Sequence, residues 1–254
     1  MELSIRVQLP AIALSSGIIG TMAEKVVSCV ICAYNEAGRI AGVLKVVAGH
    51  PLVKEVIIVD DGSTDNTSEV ARSFPGVKVI TQQKNTGKSR ALVNGVGSAA
   101  GDAILLLDAD LQNLTQENIT ALIESVISGR ADVSISLRGN SLALYRAIGI
   151  DFVSGERVFP RTLISDYAKE ITELSRFGVE SFMNERIIEQ RLRIAIVRLD
   201  NVINTRKAQK SGFFRGTLEE IRMVIDIMWV ISPIEVIRQN YMMLKLSRRN
   251  QGTR

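Results

Sequence analysis

Two aspartates and a glutamine stand at alternate positions, Asp108, Asp110 and Gln112, within the run DADLQ. They directly follow the apolar residues 103–107, which predict a buried strand. Unpaired carboxylates at such a place are costly, and a hard divalent cation held by oxygen atoms would compensate their charge while also binding substrate phosphates. The alternative is an acidic turn that caps the next helix. Asp60-Asp61, after another apolar run, favours the cation.

Other chemical signatures are weaker. Cys29 and Cys32 have C-x-x-C spacing, but no second pair or nearby histidine completes a four-ligand zinc site, so we predict two small core residues of a reduced, cytoplasmic protein. No G-x-G-x-x-G follows a predicted strand, and residues 85–89 (NTGKS) lack the first glycine of a P-loop, since Gln82 stands there. The single histidine, His50, lies at a predicted helix end and is expected to be solvated.

The elements that must position these residues alternate between strands and helices. Apolar runs predict five buried strands, over 26–33, 56–59, 77–81, 103–107 and 132–136, and helical spacing predicts helices over 37–48, 64–74, 88–100 and 115–128. This alternation indicates βαβ units, and therefore an α/β fold with a mostly parallel sheet covered by helices. The polar motifs then fall at the carboxyl ends of the strands, where such sheets bind ligands.

The second half of the chain has a less regular pattern. A loop-rich stretch after residue 137 contains Arg138-Gly139-Asn140, Arg146 and Ser154-Gly155-Glu156-Arg157. Helices are predicted over 164–175 and 180–189, and a strand over 192–199.

A further helix is predicted from Ser232-Pro233-Ile234-Glu235, which forms a capping box with proline at the first helical position. Its apolar stripe consists of Ile234, Ile237, Tyr241 and Leu244. We favour packing of this stripe on the rest of the domain; the alternative is a basic amphipathic helix in the headgroup plane of a membrane.

The net charge of +4 is unevenly distributed. Residues 191–254 carry 13 Lys and Arg against 5 Asp and Glu, whereas the first 190 residues are mildly acidic. A basic tail suits an anionic partner such as a phosphate or a membrane surface, and an acidic front argues against a nucleic-acid binder. No apolar run reaches the 18 residues of a membrane-spanning helix, and the balance of 46% hydrophobic and 23% charged residues excludes a disordered or fibrous chain.

Four motifs in series resemble those of one enzyme family. They are AYNE at 33–36, DDGSTD at 60–65, NTGK at 85–88 and DADLQ at 108–112. Together they are similar to glycosyltransferase family 2, inverting enzymes with the GT-A (Rossmann-like nucleotide-sugar) fold. The DADLQ run is most similar to the dolichol- and polyprenyl-phosphate mannose synthase-like branch. The likeness covers roughly residues 26–200.

The resemblance implies a domain organisation and a location. We expect residues 1–22 to be disordered or an upstream extension, residues 23–215 to form the GT-A domain, and residues 216–254 to form a basic amphipathic helical tail. The protein is expected to be cytoplasmic, with peripheral contact to the inner face of the membrane through that tail.

The resemblance also implies a donor site for a UDP- or GDP-hexose and either Mg²⁺ or Mn²⁺. Asp108, Asp110 and Gln112 would bind the metal, and Asp110 would take part in catalysis. Asp61 would contact the base edge and Asp65 would support the loop. The full set of expected donor-binding residues is Ala33, Tyr34, Glu36, Asp61, Lys88, Asp108, Ala109 and Asp110.

On the acceptor side, the resemblance implies a polyprenyl phosphate held by cations. Arg138 and Arg146 would be catalytic in this sense, with Arg206 and Lys207 as further contacts. Such a phosphate is already ionised, so it needs positioning rather than a general base.

Other functions stay open at this point. A hydroxyl acceptor, on a glycolipid or a soluble molecule, would need a base, for which Glu180 and Glu185 are the candidates. A non-catalytic nucleotide-binding module is a second alternative. A nucleotidyltransferase is disfavoured because the first loop is not glycine-rich, and a processive synthase because Gln190-Arg191-Leu192-Arg193 lacks the tryptophan of Q-x-x-R-W.

Overall fold

Seven strands form one mixed sheet in the computed structural model, which describes residues 25–174, 178–204 and 232–249. The strand order is β3-β2-β1-β4-β7-β6-β8, and β5 and β9 form a separate two-stranded ribbon. The strands are β1 (Val27–Ala33), β2 (Glu55–Asp60), β3 (Val77–Thr81), β4 (Ala103–Asp108), β5 (Leu111–Gln112), β6 (Val133–Arg138), β7 (Arg157–Pro160), β8 (Ile194–Leu199) and β9 (Ile203–Asn204).

Helices cover both faces of the sheet because the central strands are apolar on both sides. Alternate residues of β4 enter opposite cores, with Leu106 in one and Leu105 in the other. The helices are α1 (Ile40–Val47), α2 (Thr67–Arg72), α3 (Lys88–Gly97), α4 (Gln116–Ile127), α5 (Ala143–Ile148), α6 (Thr162–Ser165), α7 (Ala168–Thr172), α8 (Gly178–Glu189) and α9 (Pro233–Arg249). The predicted α/β class and mostly parallel sheet are confirmed.

Strand β7 is the main feature of the sheet that the sequence did not predict. It is antiparallel to both neighbours, pairing Leu106 with Arg157 on one side and Ile135 with Arg157 on the other. It therefore begins at the edge where β4 and β6 end. The single helix predicted over 164–175 is instead two short helices, α6 and α7, in the residues described there.

His50 corrects another expectation. Its side chain is buried rather than solvated, and Nε2 lies 3.2 Å from the carbonyl oxygen of Gln116 and 3.1 Å from Oγ1 of Thr120. The backbone N–H of Leu52 donates to Nδ1. The ring thus connects the end of α1 to α4, a tertiary contact without a local sequence signal.

Helix α9 begins as predicted, with Ser232 Oγ accepting the N–H of Glu235. It packs through a side other than the expected apolar stripe: Gln239, Asn240, Met243, Leu246 and Ser247 are buried. Ile234, Ile237 and Tyr241 are 79%, 70% and 64% exposed, so the favoured prediction was wrong for these three residues. The fourth residue of the stripe, Leu244, is partly buried and packs against the core. Among the described helices, none is long and apolar enough to span a membrane.

Candidate active site

Two loops after parallel strands form one wall of the candidate site. Asn35, directly after β1, has a left-handed backbone (φ 57°), and its Oδ1 accepts the N–H of Thr64 at 2.8 Å in the loop after β2. Its own N–H donates to Oγ of Ser63. Asp65, expected to support the loop, accepts the N–H of Ala37 at 3.2 Å. The two motifs therefore form one hydrogen-bonded unit.

A third loop, just before α3, closes against this unit. Gly62 has φ +72°, and a Cβ there would lie 2.4 Å from the carbonyl carbon of Lys84. The buried carboxylate of Asp61 accepts the N–H groups of Thr86 and Gly87, each at 2.8 Å, and the amide of Gln82 at 3.1 Å. Asp61, expected on a nucleobase edge, therefore holds the loop that would carry the base.

Other residues expected to bind the nucleotide-sugar lie near these loops. Tyr34 is 44% exposed at the mouth, and Glu36 is ion-paired with Arg39. Ala33 and Ala109 are buried, so they can line the site only with their backbone.

Asp108 ends β4 between two cations. Its Oδ1 lies 3.2 Å from Nζ of Lys88, at the start of α3, and its Oδ2 lies 3.8 Å from a terminal nitrogen of Arg138, at the end of β6. Lys88 also lies 2.9 Å from Oε1 of Glu180, which is buried on α8. Burial would lower the pKa of Lys88, but Asp108 and Glu180 outweigh it and hold that pKa above its usual value.

Arg138 is buried among acids. It lies 2.6 Å from Oε1 of Glu156 and 3.7 Å from Oδ2 of Asp151, in addition to Asp108. Burial would lower its pKa, but these three carboxylates together raise it. The positive charge of Arg138 is thus held at this edge of the sheet, and its buried Nε–H has no acceptor among the described residues.

Asp110 lies two residues beyond Asp108. Burial, followed by the charges of Asp108, Glu36 and Glu156, raises its pKa to about 6. An acid that is hard to ionise beside other acids is stabilised as a carboxylate when a cation binds.

The oxygen atoms that these side chains offer fit a divalent cation only when substrate adds further ligands. Gln112 follows on β5 and is exposed. Among the described residues, no three His, Cys, Asp or Glu side chains are grouped as a metal site. Asp108, Asp110 and Gln112 would supply oxygen ligands, and substrate phosphates would complete the coordination.

Of the other expected acceptor contacts, the structure describes Arg146 alone. Arg146, on α5, is exposed and donates to the carbonyl oxygen of Gly139 at 3.2 Å, close in sequence to Arg138. Arg206 and Lys207 lie outside the described residues.

Sequence reasoning missed three residues of this site, Asp151, Gly155 and Glu156. They belong to a loop-rich stretch whose charged residues give no periodic signal. Their only signal was the presence of acids near Arg138 in the sequence.

Comparisons with known proteins agree with this geometry. Residues 28–145 match the family model of glycosyl transferase family 2. The chain is 37% identical over 117 residues to a dolichol-phosphate mannosyltransferase from Pyrococcus furiosus, covering 44% of this chain and 33% of that protein. It is 36% identical over 125 residues to an undecaprenyl-phosphate 4-deoxy-4-formamido-L-arabinose transferase from Aeromonas hydrophila, covering 46% and 38%. The matches thus span about a third of the length of these relatives.

A solved structure extends the likeness to the fold. Glucosyl-3-phosphoglycerate synthase from Mycobacterium tuberculosis, in complex with Mn²⁺ and UDP-glucose, superimposes with a TM-score of 0.58 at 25% identity. The superposition covers 72% of each chain.

Proposed function

We propose that the chain, whose residues 28–145 match the family model of glycosyl transferase family 2, is an inverting, divalent-metal-dependent glycosyltransferase. In this proposal it transfers a hexose from a nucleotide-sugar to a polyprenyl phosphate at the cytoplasmic face of a membrane. The observation that carries the proposal is the position of Asp108 at the end of β4 between Lys88 and Arg138, with Asp110 two residues beyond it.

The donor half of the reaction follows from the charges. Asp108, Asp110 and Gln112 would hold Mg²⁺ or Mn²⁺, which supplies Lewis-acid neutralisation of the diphosphate leaving group. Lys88, already at this edge, adds a second positive charge for the diphosphate. Mn²⁺ with UDP-glucose in the mycobacterial synthase supports this choice of metal and donor class.

The acceptor half is supported by Arg138 and Arg146. Arg138 carries a buried Nε–H without an acceptor among the described residues, and Arg146 presents an exposed guanidinium from the next helix. A phosphate monoester bound there would be a ready nucleophile, since it carries its charge without help from a base. The named activities of the Pyrococcus and Aeromonas relatives, on dolichol and undecaprenyl phosphates, support a lipid-linked phosphate.

Glu180 is the residue that separates this proposal from a hydroxyl acceptor. Its carboxylate is buried and lies 2.9 Å from Nζ of Lys88. To act as a base it would have to take up a proton and lose the charge that holds Lys88, so the ion pair favours the phosphate acceptor.

The outer face of α9 supports contact with an anionic lipid surface. Ile234, Ile237 and Tyr241 are followed on the same helical face by Lys245 and Arg248, and all five are exposed. Apolar residues followed by cations on one face suit the headgroup layer of an anionic bilayer. A membrane-embedded acceptor would then meet the enzyme at its own surface.

The test is radiolabelled sugar transfer from a panel of UDP- and GDP-sugars, with Mn²⁺, into membrane lipid extract. We expect acid-labile label in the organic phase with the wild-type chain and none with Asp110→Ala. Donor turnover without lipid label would favour the hydroxyl acceptor, and the absence of any donor turnover would favour the binding module.

A further inference from the structure

The turn Ser154-Gly155-Glu156-Arg157 lies inside the site, and the proposed function assigns it no role. It leads into β7, whose first residue, Arg157, pairs with Leu106 on β4 and Ile135 on β6. The antiparallel direction of β7 therefore places the turn at the carboxyl ends of the two strands that carry Asp108 and Arg138.

Gly155 lies directly against the carboxylate of Asp108. A Cβ on Gly155 would stand 2.6 Å from both Oδ1 and Oδ2 of Asp108 and 2.8 Å from its Cγ. The backbone of Gly155 is not in the left-handed region, so any residue could adopt its conformation. A side chain at position 155 would instead occupy the space that the Asp108 carboxylate fills.

Glu156 holds Arg138, the second cation beside Asp108. It is fully buried, its Oε1 accepts from Arg138 at 2.6 Å, and its Oε2 accepts from the hydroxyls of Ser136 and Ser154 at 2.7 and 2.8 Å. Both oxygens are satisfied, so the carboxylate cannot turn away from Arg138 without breaking buried hydrogen bonds.

Arg157 makes the turn rigid. It is fully buried and donates to the carbonyl oxygens of Ser154 at 2.7 Å and Phe152 at 2.6 Å, and to Oδ1 of Asn184 on α8 at 2.7 Å. The turn is thereby tied to the helix that carries Glu180.

We propose that Gly155 is a positioning residue for Asp108: the rigid turn leaves a Cβ-sized space in which that carboxylate sits at the height required for the metal and the diphosphate. This inference rests on the proposed function, since it assigns Asp108 to the donor. It requires any side chain at position 155 to displace the carboxylate, while leaving the base-binding loops unchanged.

The first experiment compares Gly155→Ala with Gly97→Ala, a helical glycine whose Cβ would meet nothing within 4 Å. Binding of UDP and GDP is measured by calorimetry with Mn²⁺ and again with EDTA. We expect Gly155→Ala to weaken the Mn²⁺-dependent binding by about tenfold or more, with the metal-free affinity unchanged. Gly97→Ala should match the wild type in both. Equal weakening with and without metal, or none, would overturn the proposal.

A second measurement tests the contact itself through unfolding. Gly155→Ala should lower the melting temperature in the wild-type chain but much less in Asp108→Ala, because the shorter side chain removes the clash. Equal losses in both backgrounds would show that Gly155 does not act through Asp108. If the wild-type chain binds neither nucleotide, the proposed function fails, whereas this cycle still decides whether Gly155 accommodates Asp108.

Discussion

Lys88 and Glu180 form an ion pair across the candidate site, with 2.9 Å between Nζ and Oε1, although they lie 92 positions apart in the chain. The pair connects the start of α3 to α8. Glu180, a candidate general base, is therefore held by the lysine expected to face the diphosphate, and the two rival acceptor chemistries make different demands on it.

Glu180→Gln tests those demands. With a phosphate acceptor, the amide removes a partner of Lys88, so we expect the KM for the nucleotide-sugar to change while kcat falls less than about tenfold. With a hydroxyl acceptor, loss of the base would reduce kcat by about 100-fold or more and remove the acidic limb of its pH profile. Steady-state kinetics across pH distinguish the two, and Glu189→Gln, on the exposed end of α8, is the control.

Asp110→Asn should separate stability from activity. The folded pKa of about 6 lies above the ordinary aspartate pKa of 3.8, so the folded metal-free protein binds more protons than the unfolded chain between those values. This contribution to stability is complete below pH 3.8 and is lost as the pH rises through 6. The asparagine, which cannot ionise, should therefore raise the stability of the metal-free protein by about 1–2 kcal/mol at pH 7 and have little effect near pH 4. Denaturant unfolding with EDTA at both pH values measures this. An equal effect at both would contradict the assigned cause, and sugar transfer should be lost in either case.

Gly62→Ala should be far more damaging than Gly76→Ala. Both glycines have a positive φ, +72° and +76°, but only Gly62 faces backbone atoms, with Lys84 at 2.4 Å. We expect a loss of about 1 kcal/mol for Gly76→Ala from conformation alone and about 2–4 kcal/mol for Gly62→Ala from conformation and overpacking. Chemical denaturation measures both, and similar losses would mean that the two loops do not approach as described. Nucleotide binding should weaken only in Gly62→Ala.

Arg146→Ala addresses the acceptor. Removal of one exposed guanidinium that would bind a phosphate should raise the KM for a polyprenyl-phosphate acceptor by about 10- to 100-fold, because a hydrogen bond to a charged group contributes about 1.5–3 kcal/mol. Hydrolysis of the donor in the absence of acceptor should not change. Arg130→Ala, at an exposed position after the end of α4, serves as a matched control. A loss of donor hydrolysis in Arg146→Ala would place this residue on the donor side instead.

The α9 face can be tested by sedimentation with vesicles. Lys245→Glu/Arg248→Glu should reduce binding to phosphatidylglycerol vesicles by about tenfold or more, since each basic residue near an anionic surface contributes about 1 kcal/mol. Lys54→Glu/Lys78→Glu makes the same change in net charge on exposed residues elsewhere. Equal loss in the two double variants would indicate a non-specific charge effect, and phosphatidylcholine vesicles should bind neither the wild type nor the variants.

The parallel half of the fold could be predicted from the sequence because each of its strands is a run of apolar residues. β3 was predicted over the residues it occupies, and β1 and β4 within one residue at either end. The clustering of the motifs at one edge followed from the direction of those strands. β7 could not be predicted in this way: it has four residues, begins with a buried arginine and ends with a proline.

The part of the site that could not be predicted from the sequence belongs to the same segment as β7. Glu156 and Arg157 are fully buried charges whose partners lie on β6 and α8. A charged residue in a loop-rich stretch is ordinarily solvated, so only the tertiary contacts reveal that these two are internal. The exposed stripe of α9 is the opposite case, because amphipathic spacing identifies an apolar face without identifying what contacts it.

The antiparallel orientation of β7 has a consequence for how such a site could diversify. In the described sheet, β7 lies between β4, which carries Asp108, and β6, which carries Arg138. Each of these two strands hydrogen-bonds to β7 and not to the other. Under the proposed function we therefore expect substitutions in the loops after β1 and β2 to alter nucleotide choice with little change to the packing around Arg138 and Arg146, and the reverse. The ion pair of Asp108 with Arg138 connects the two regions. Strand β7 is thus the boundary between the two parts of the sheet. Chimeric enzymes that recombine these parts should keep their junction at β7, where a single short strand has to pair with a strand from each parent sequence.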